Sequence, residues 1–273
     1  MAPLDWILAE PPRRHTWQAL VECLDAWGED DDLERALDRA EDALFAWPWN
    51  LRTAPESWVA HLLAGRDDPR LRLMRRVRLT RRGIGVDRLR RLVDVPGLAY
   101  ALKLKLGENP LGDEGAKILA TAPTCASIRE LDLRLSGIGA EGAARLARST
   151  YLAGLEVLDL SGNPLGDAGL RALAGGAALE RLRVLVLQDV GLSAAALTEV
   201  AAAPWCATIE ILHLGEHRVG DAGAAALAAG AWPRLRELYL PLESIGVAGR
   251  SALARSAFAD RLEVLDLQGS PAD

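Results

Sequence analysis

The chain has little cysteine: three residues in 273, an odd and small number that argues against a disulfide framework. Cys125 and Cys206 fall in matching stretches, APTCASI and APWCATI, 81 residues apart. Stacked as three successive units, such positions would stand roughly 15 Å apart, beyond disulfide reach, so both cysteines are expected to be small buried hydrophobes. Lysine is almost absent (Lys103, Lys105 and Lys117), and aromatic residues make up only 5%. No apolar run is long enough to span a bilayer, which excludes a membrane-spanning helix. The first ten residues, MAPLDWILAE, carry Asp5 and Glu10 where an export leader would be basic. A soluble, cytoplasmic protein is expected, with neither a membrane partner nor a cofactor. Its Ala-, Arg- and Leu-rich composition is common in GC-rich bacteria.

What is present is unevenly charged. The net charge is −6, but residues 1–70 carry 7 arginines against 15 acids, and residues 71–105 carry 11 basic residues against 2 acids. An acidic chain argues against bulk nucleic-acid affinity, and the local basic block needs its own explanation.

A repeat dominates the chain from about residue 71. The first apolar residue of an L-x-L pattern recurs at Val77, Leu104, Leu131, Leu158, Leu185, Leu212, Leu238 and Leu265, at intervals of 27 with a single 26. The missing residue falls between Ala228 and Leu235, around Trp232 and Pro233, in a loop where a length change is cheap. Glycine slots keep the same phase, at Gly112, Gly139 and Gly166 and again at Gly115, Gly142 and Gly169. Alternation in L-x-L predicts a short strand with its leucines facing inward, then a glycine turn, then an Ala/Leu-rich outer helix. The second glycine slot is expected to let each helix approach its neighbour. One unit cannot bury its own apolar face, so the units must stack into a solenoid. The fold class is therefore α/β: eight strands in a curved parallel sheet, helices outside, spanning 71–273.

These units resemble leucine-rich repeats of the ribonuclease-inhibitor-like subclass, with LEVLDLSGNPLGDAGLRALA (155–174) the best match. The resemblance implies asparagine at the ninth motif position, paired with loop backbone. Here that slot reads Arg82, Asn109, Ser136, Asn163, Val190, His217, Glu243 and Ser270. With two asparagines in eight, the ladder is incomplete and the other loops are expected to be less firmly held.

Residues 1–70 do not follow the period and hold six of the eight tryptophans. Thr16 is expected to cap a helix presenting Trp17, Leu20, Val21, Leu24 and Trp27 on one face. Asp32 should cap a second with Leu33, Leu37, Ala40 and Leu44, and Ser57 a short third. The acidic run Glu29 to Asp32 suits a helix start better than a calcium loop. A helical, Trp-rich segment fits a solenoid's end cap. The stretch ILAEPPRRHTWQALVECLDAWGEDDD also resembles the short companion domain that precedes bacterial leucine-rich repeats, which implies no activity.

Two motifs suggest enzymes and are better explained by the repeat. Gly137-Ile138-Gly139-Ala140-Glu141-Gly142 spells G-x-G-x-x-G, but Gly139 and Gly142 are repeat-slot glycines. His213-Leu214-Gly215-Glu216-His217 spells H-x-x-E-H, a zinc signature that requires a helix, whereas His213 falls on a strand. No metal site and no catalytic set are expected. Asp132 and Asp159, in consecutive units, read as a surface row rather than an acid–base pair.

The strand residues between the leucines should form the concave surface. They read basic at one end (Arg76, Arg78, Lys103, Lys105), then acidic (Glu130, Asp132, Asp159), then apolar (Val157, Val184, Val186, Ile211), with His213 and Tyr239 alongside. An apolar patch rimmed by charge is expected to bind a protein partner; the plainer alternative is that β-branched residues suit a sheet. The basic block Arg72 to Arg91 is expected to dock on the acidic cap or meet an acidic partner. Nucleic acid ranks last, since no aromatics are interleaved for stacking. The last strand lacks a following helix, and Pro271 and Asp273, self-association or a partner is expected to cover its edge. A non-catalytic interaction scaffold is the expected function; the resemblance also admits a regulator of a GTPase or other enzyme.

Overall fold

A computed structural model describes residues 4–27, 32–217, 219–240 and 245–267. Eight three-residue strands form one parallel sheet in sequence order: β1 (Arg76–Arg78), β2 (Lys103–Lys105), β3 (Glu130–Asp132), β4 (Val157–Asp159), β5 (Val184–Val186), β6 (Ile211–His213), β7 (Glu237–Tyr239) and β8 (Val264–Asp266). The central residue of each strand pairs in register with the next, from Val77–Leu104 to Leu238–Leu265. These central residues, and Leu79, Leu106, Leu133 and their equivalents, are buried through β7, so the leucines stack into one continuous seam. At β8 the seam opens, and Leu265 is 43% exposed. Pro271 and Asp273, expected to blunt this edge, lie outside the described residues.

Helices line the outer side: α5 (Val86–Val93), α6 (Gly112–Thr121), α7 (Ala140–Ala147), α8 (Gly166–Ala174), α9 (Ala196–Ala201), α10 (Gly220–Ala228) and α11 (Val247–Ala254). Most units return to the sheet through a short 3-10 turn, such as Pro123–Cys125. The unit with the missing residue instead buries Trp232, whose indole donates to Leu227 O at 3.0 Å and lies 6.3 Å from the Trp205 ring. Cys125 and Cys206 are buried free thiols, as expected, and burial pushes both up to about 12.

The cap comprises α1 (Leu4–Ala9), α2 (Arg14–Asp25), α3 (Leu33–Leu44) and α4 (Glu56–Leu63). Asp32 caps α3 as expected, accepting from Arg35 N at 3.1 Å; Glu29, Asp30 and Asp31 lie outside the described residues. Two cap assignments are corrected. The helix expected to be capped by Thr16 starts three residues earlier, with Arg13 at its N-cap, and the buried Thr16 hydroxyl donates back to Pro11 O at 2.9 Å. Ser57 sits inside α4 and donates to Asp25 Oδ2 at 2.7 Å, which ties α4 to α2. The cap also extends the sheet. Thr53 bridges Arg76 in parallel, and Arg52 O accepts the amides of Arg75 and Arg76 just as Arg75 O accepts those of Leu102 and Lys103.

The turns alternate in two kinds. Asn109 and Asn163 are buried, and each serves two turns. Asn163 Oδ1 accepts from Ser136 N and Ile138 N in the preceding unit, while Nδ2 donates to Leu133 O there and to Leu160 O in its own. Asn109 does the same for Arg82 and Ile84. The turns with Arg82 and Ser136 in the slot are thus held by the next one, which corrects the expectation that they are loosely held; Glu243 and Ser270 lie outside the described residues. His217 occupies the slot in the third such turn, and its Nε2 lies 2.6 Å from Leu187 O. The same turns also reach forward. Asp113 Oδ1 accepts the amides of Gly139 and Gly142, Asp167 takes Ser193, and Asp221 Oδ1 takes Gly246 and Gly249. The structural period is therefore 54 residues, two units of 27.

The second glycine slot does allow close approach. A Cβ on Gly142 would lie 2.5 Å from Asp113 Oδ1 and 3.1 Å from Ala116 Cβ on α6.

Candidate functional site

The sheet register builds the concave surface in two rows. One runs Arg76, Lys103, Glu130, Val157, Val184, Ile211, Glu237 and Val264; the other runs Arg78, Lys105, Asp132, Asp159, Val186, His213, Tyr239 and Asp266. All thirteen residues singled out in the sequence stand in these rows. The charged zones are less free than their order suggests. Lys103 is ion-paired with Glu130 across β2 and β3, and Lys105 Nζ lies 3.9 Å from Asp132 Oδ2. Arg76 Nη1 donates to Asn50 O in the cap at 2.6 Å. The aspartates bend back to their own turns: Asp132 Oδ1 accepts from Arg134 N at 3.2 Å, and Asp159 Oδ1 from Ser161 N at 3.0 Å. Burial, and then the neighbouring Asp159 carboxylate, raise the Asp132 carboxyl.

The centre differs. Val157, Val184 and Ile211 are consecutive in one row, and Val186 stands beside them in the other, all half-buried. Next to them the His213 and Tyr239 rings stack at 3.9 Å, 6° from parallel. Tyr239 Oη donates to Glu237 Oε2 at 2.8 Å, which fixes the ring and raises its phenol to about 12. Burial lowers His213, so its imidazole is neutral at neutral pH. Sequence order alone misses this stack, although the register places the two residues opposite each other.

The tempting motifs are absorbed. In G-x-G-x-x-G the amides that would cradle a phosphate already donate to the Asp113 carboxylate. In H-x-x-E-H one histidine lies on the concave face and the other is buried in a turn against Leu187 O.

The basic block divides between the cap and the next unit. Arg72 pairs with Glu34, Asp38 and Glu41 of α3, and Arg82 pairs with Glu56 of α4. Arg81 pairs with Glu108, and Arg90 Nη2 lies 3.6 Å from Glu114 Oε1. Four acids of residues 1–70, Glu34, Asp38, Glu41 and Glu56, thus seat the cap on the basic first unit. Among the described residues no helix is long and apolar enough to cross a membrane.

A leucine-rich-repeat family model matches residues 102–120, 124–147, 155–174 and 206–228. Each matched stretch pairs a strand with its helix: β2–α6, β3–α7, β4–α8 and β6–α10. Four of the eight strand units thus match leucine-rich repeats. No curated protein matches the chain. Between the matched repeats, the one carrying β5 and α9 has Ser193 and Ala196 in the two glycine slots and a helix of only 6 residues.

Proposed function

We propose that this leucine-rich-repeat protein is a non-catalytic scaffold, of the ribonuclease-inhibitor-like kind, that holds a protein partner on its concave face. The observation that carries this reading is a contrast within that face. Its charged flank is paired internally, Lys103 with Glu130 and Lys105 with Asp132, whereas Val157, Val184, Val186 and Ile211 present adjacent half-exposed apolar side chains. Removing such a cluster from water favours association at about 25 cal/mol per Å² of apolar surface, and internally paired flanks add specificity more than affinity. The His213–Tyr239 stack supplies a rigid amphipathic shoulder of the sort enriched where interfaces concentrate their energy.

The test uses the full chain as bait with the double substitution Val184→Glu and Ile211→Glu. Both side chains point away from the leucine seam, so the circular dichroism spectrum is expected to stay unchanged while partner capture is lost. Capture equal to that of the unaltered protein overturns the reading.

A further inference from the structure

A cavity of about 330 Å³ opens where α2 meets residues 50–55 and β1, at the cap end of the concave sheet. Its apolar wall is formed by Trp17, Val21, Leu51 and Pro55, and three cations, Arg14, Arg76 and Arg78, converge on it. Among the described residues no acidic side chain lines it. In a chain of net charge −6, where Arg70, Arg72 and Arg82 nearby are paired with carboxylates, this concentration of one sign stands out.

The walls are held in place before any ligand arrives. Trp17 Nε1 donates to Thr53 O at 2.9 Å, and its ring meets Trp58 edge-on at 5.9 Å. Thr53 in turn bridges Arg76. The Arg76 guanidinium is fixed by Nη1 on Asn50 O, while its Nε is buried without a hydrogen-bond partner. Burial, and then the neighbouring Arg78, make its charged form costly; Glu130 offsets part of this, and Arg14 adds to it. A partly buried cation crowded by two others is a state that an anion would relieve.

We propose that this cavity binds an organic carboxylate carried on an apolar body, the carboxylate meeting the arginines and the body lying against Trp17, Val21, Leu51 and Pro55. The apolar wall disfavours a bare inorganic anion, and a planar carboxylate suits guanidinium donors. The site goes beyond the partner reading: it lies at the cap junction, away from Val184 and Ile211. A free small acid and the carboxyl terminus of a peptide share this chemistry.

The experiment follows the tryptophan indole N–H resonances of the full chain during titration with phenylacetate, with phenylacetamide as the uncharged control. A peptide ending in phenylalanine and its carboxamide form the second arm. The Trp17 resonance, identified with Trp17→Phe, is expected to shift saturably with phenylacetate and not with the amide. The double substitution Arg14→Gln and Arg78→Gln alters two exposed side chains, so it should fold, and it should weaken binding by about tenfold or more. Tighter binding of the peptide than of phenylacetate, lost in its carboxamide, assigns the site to chain termini; the reverse ranking assigns it to small acids. Val184→Glu with Ile211→Glu should leave the titration unchanged, which separates this site from the partner surface. No saturable shift up to roughly 10 mM of either carboxylate, an equal shift with the amides, or unaltered binding in the arginine double variant overturns the proposal.

Discussion

The turns at 106–115 and 160–169 carry the side chains that fasten their neighbours, whereas those at 79–88 and 133–142 mostly offer backbone to be fastened. Asn163 reaches back to Ser136 and Ile138, and Asp167 reaches forward to Ser193. The side chain of Ser136, in the asparagine's own slot, stays within its turn, its Oγ donating to Arg134 O at 3.2 Å. The comparison teaches that a turn without its own asparagine need not be loosely held. One buried amide has donors and acceptors enough for two turns, and one aspartate can cap the helix of the next repeat in place of that helix's own residue.

The comparison breaks most visibly at the asparagine. Asn163→Ala leaves the amides of Ser136 and Ile138 and the carbonyls of Leu133 and Leu160 without their partner in a buried setting. The expected loss is about 3 kcal/mol or more in urea unfolding, against about 1 kcal/mol for Ser136→Ala in the alternate turn. Equal losses at the two positions would dissolve the distinction between the turns.

A smaller effect is expected at the forward contact. Gly142→Ala places a methyl 2.5 Å from Asp113 Oδ1 and 2.7 Å from Ile138 Cγ2. Thermal unfolding should report a loss of about 1–3 kcal/mol. Gly85→Ala, with nothing within 4 Å of the new methyl, is the contrasting control and should be close to neutral.

The smallest effect sharpens the comparison from the other side. His217 stands in the asparagine slot of the third fastening turn, and burial lowers it below its ordinary 6.5, as burial also lowers His213. The unfolded chain therefore binds more protons than the fold just below pH 6.5, so stability is lost as pH falls through that range. His217→Asn should remove one of these two contributions and raise stability by about 1 kcal/mol at mildly acidic pH, with little change above neutrality. A melting temperature that falls as steeply in the variant as in the unaltered protein would place the acid sensitivity elsewhere.

Much of this architecture could be read from the sequence, because L-x-L spacing dictates both the strand and the residue each strand sets beside its neighbour. The rows from Arg76 to Val264 and from Arg78 to Asp266 follow from that spacing alone. The two-unit period was also on view, since Asp113, Asp167 and Asp221 alternate with Val86, Ala140, Ala194 and Val247. A single 27-residue template averages that alternation away. Other features depend on contacts that no local pattern encodes. Thr16 has the chemistry of a cap, but its hydroxyl found Pro11 O inside a helix that had already begun. Thr53 extends the sheet as a one-residue bridge, too short for any periodicity to reveal. The zones of the concave face were visible as charges, yet their pairing across β2 and β3 depends on side-chain reach. The cavity beside Trp17 joins residues more than sixty positions apart.

The most direct test of the central claim is hydroxyl-radical footprinting of the full chain with and without its captured partner. Tyr239 and His213 mark the shoulder of the apolar centre, while Tyr100 and Tyr151 lie in the 3-10 turns outside the concave rows. Binding across the centre predicts protection of Tyr239, His213 and Ile211 with Tyr100 and Tyr151 unchanged. Protection of Tyr100 or Tyr151 with Tyr239 still fully reactive would contradict it.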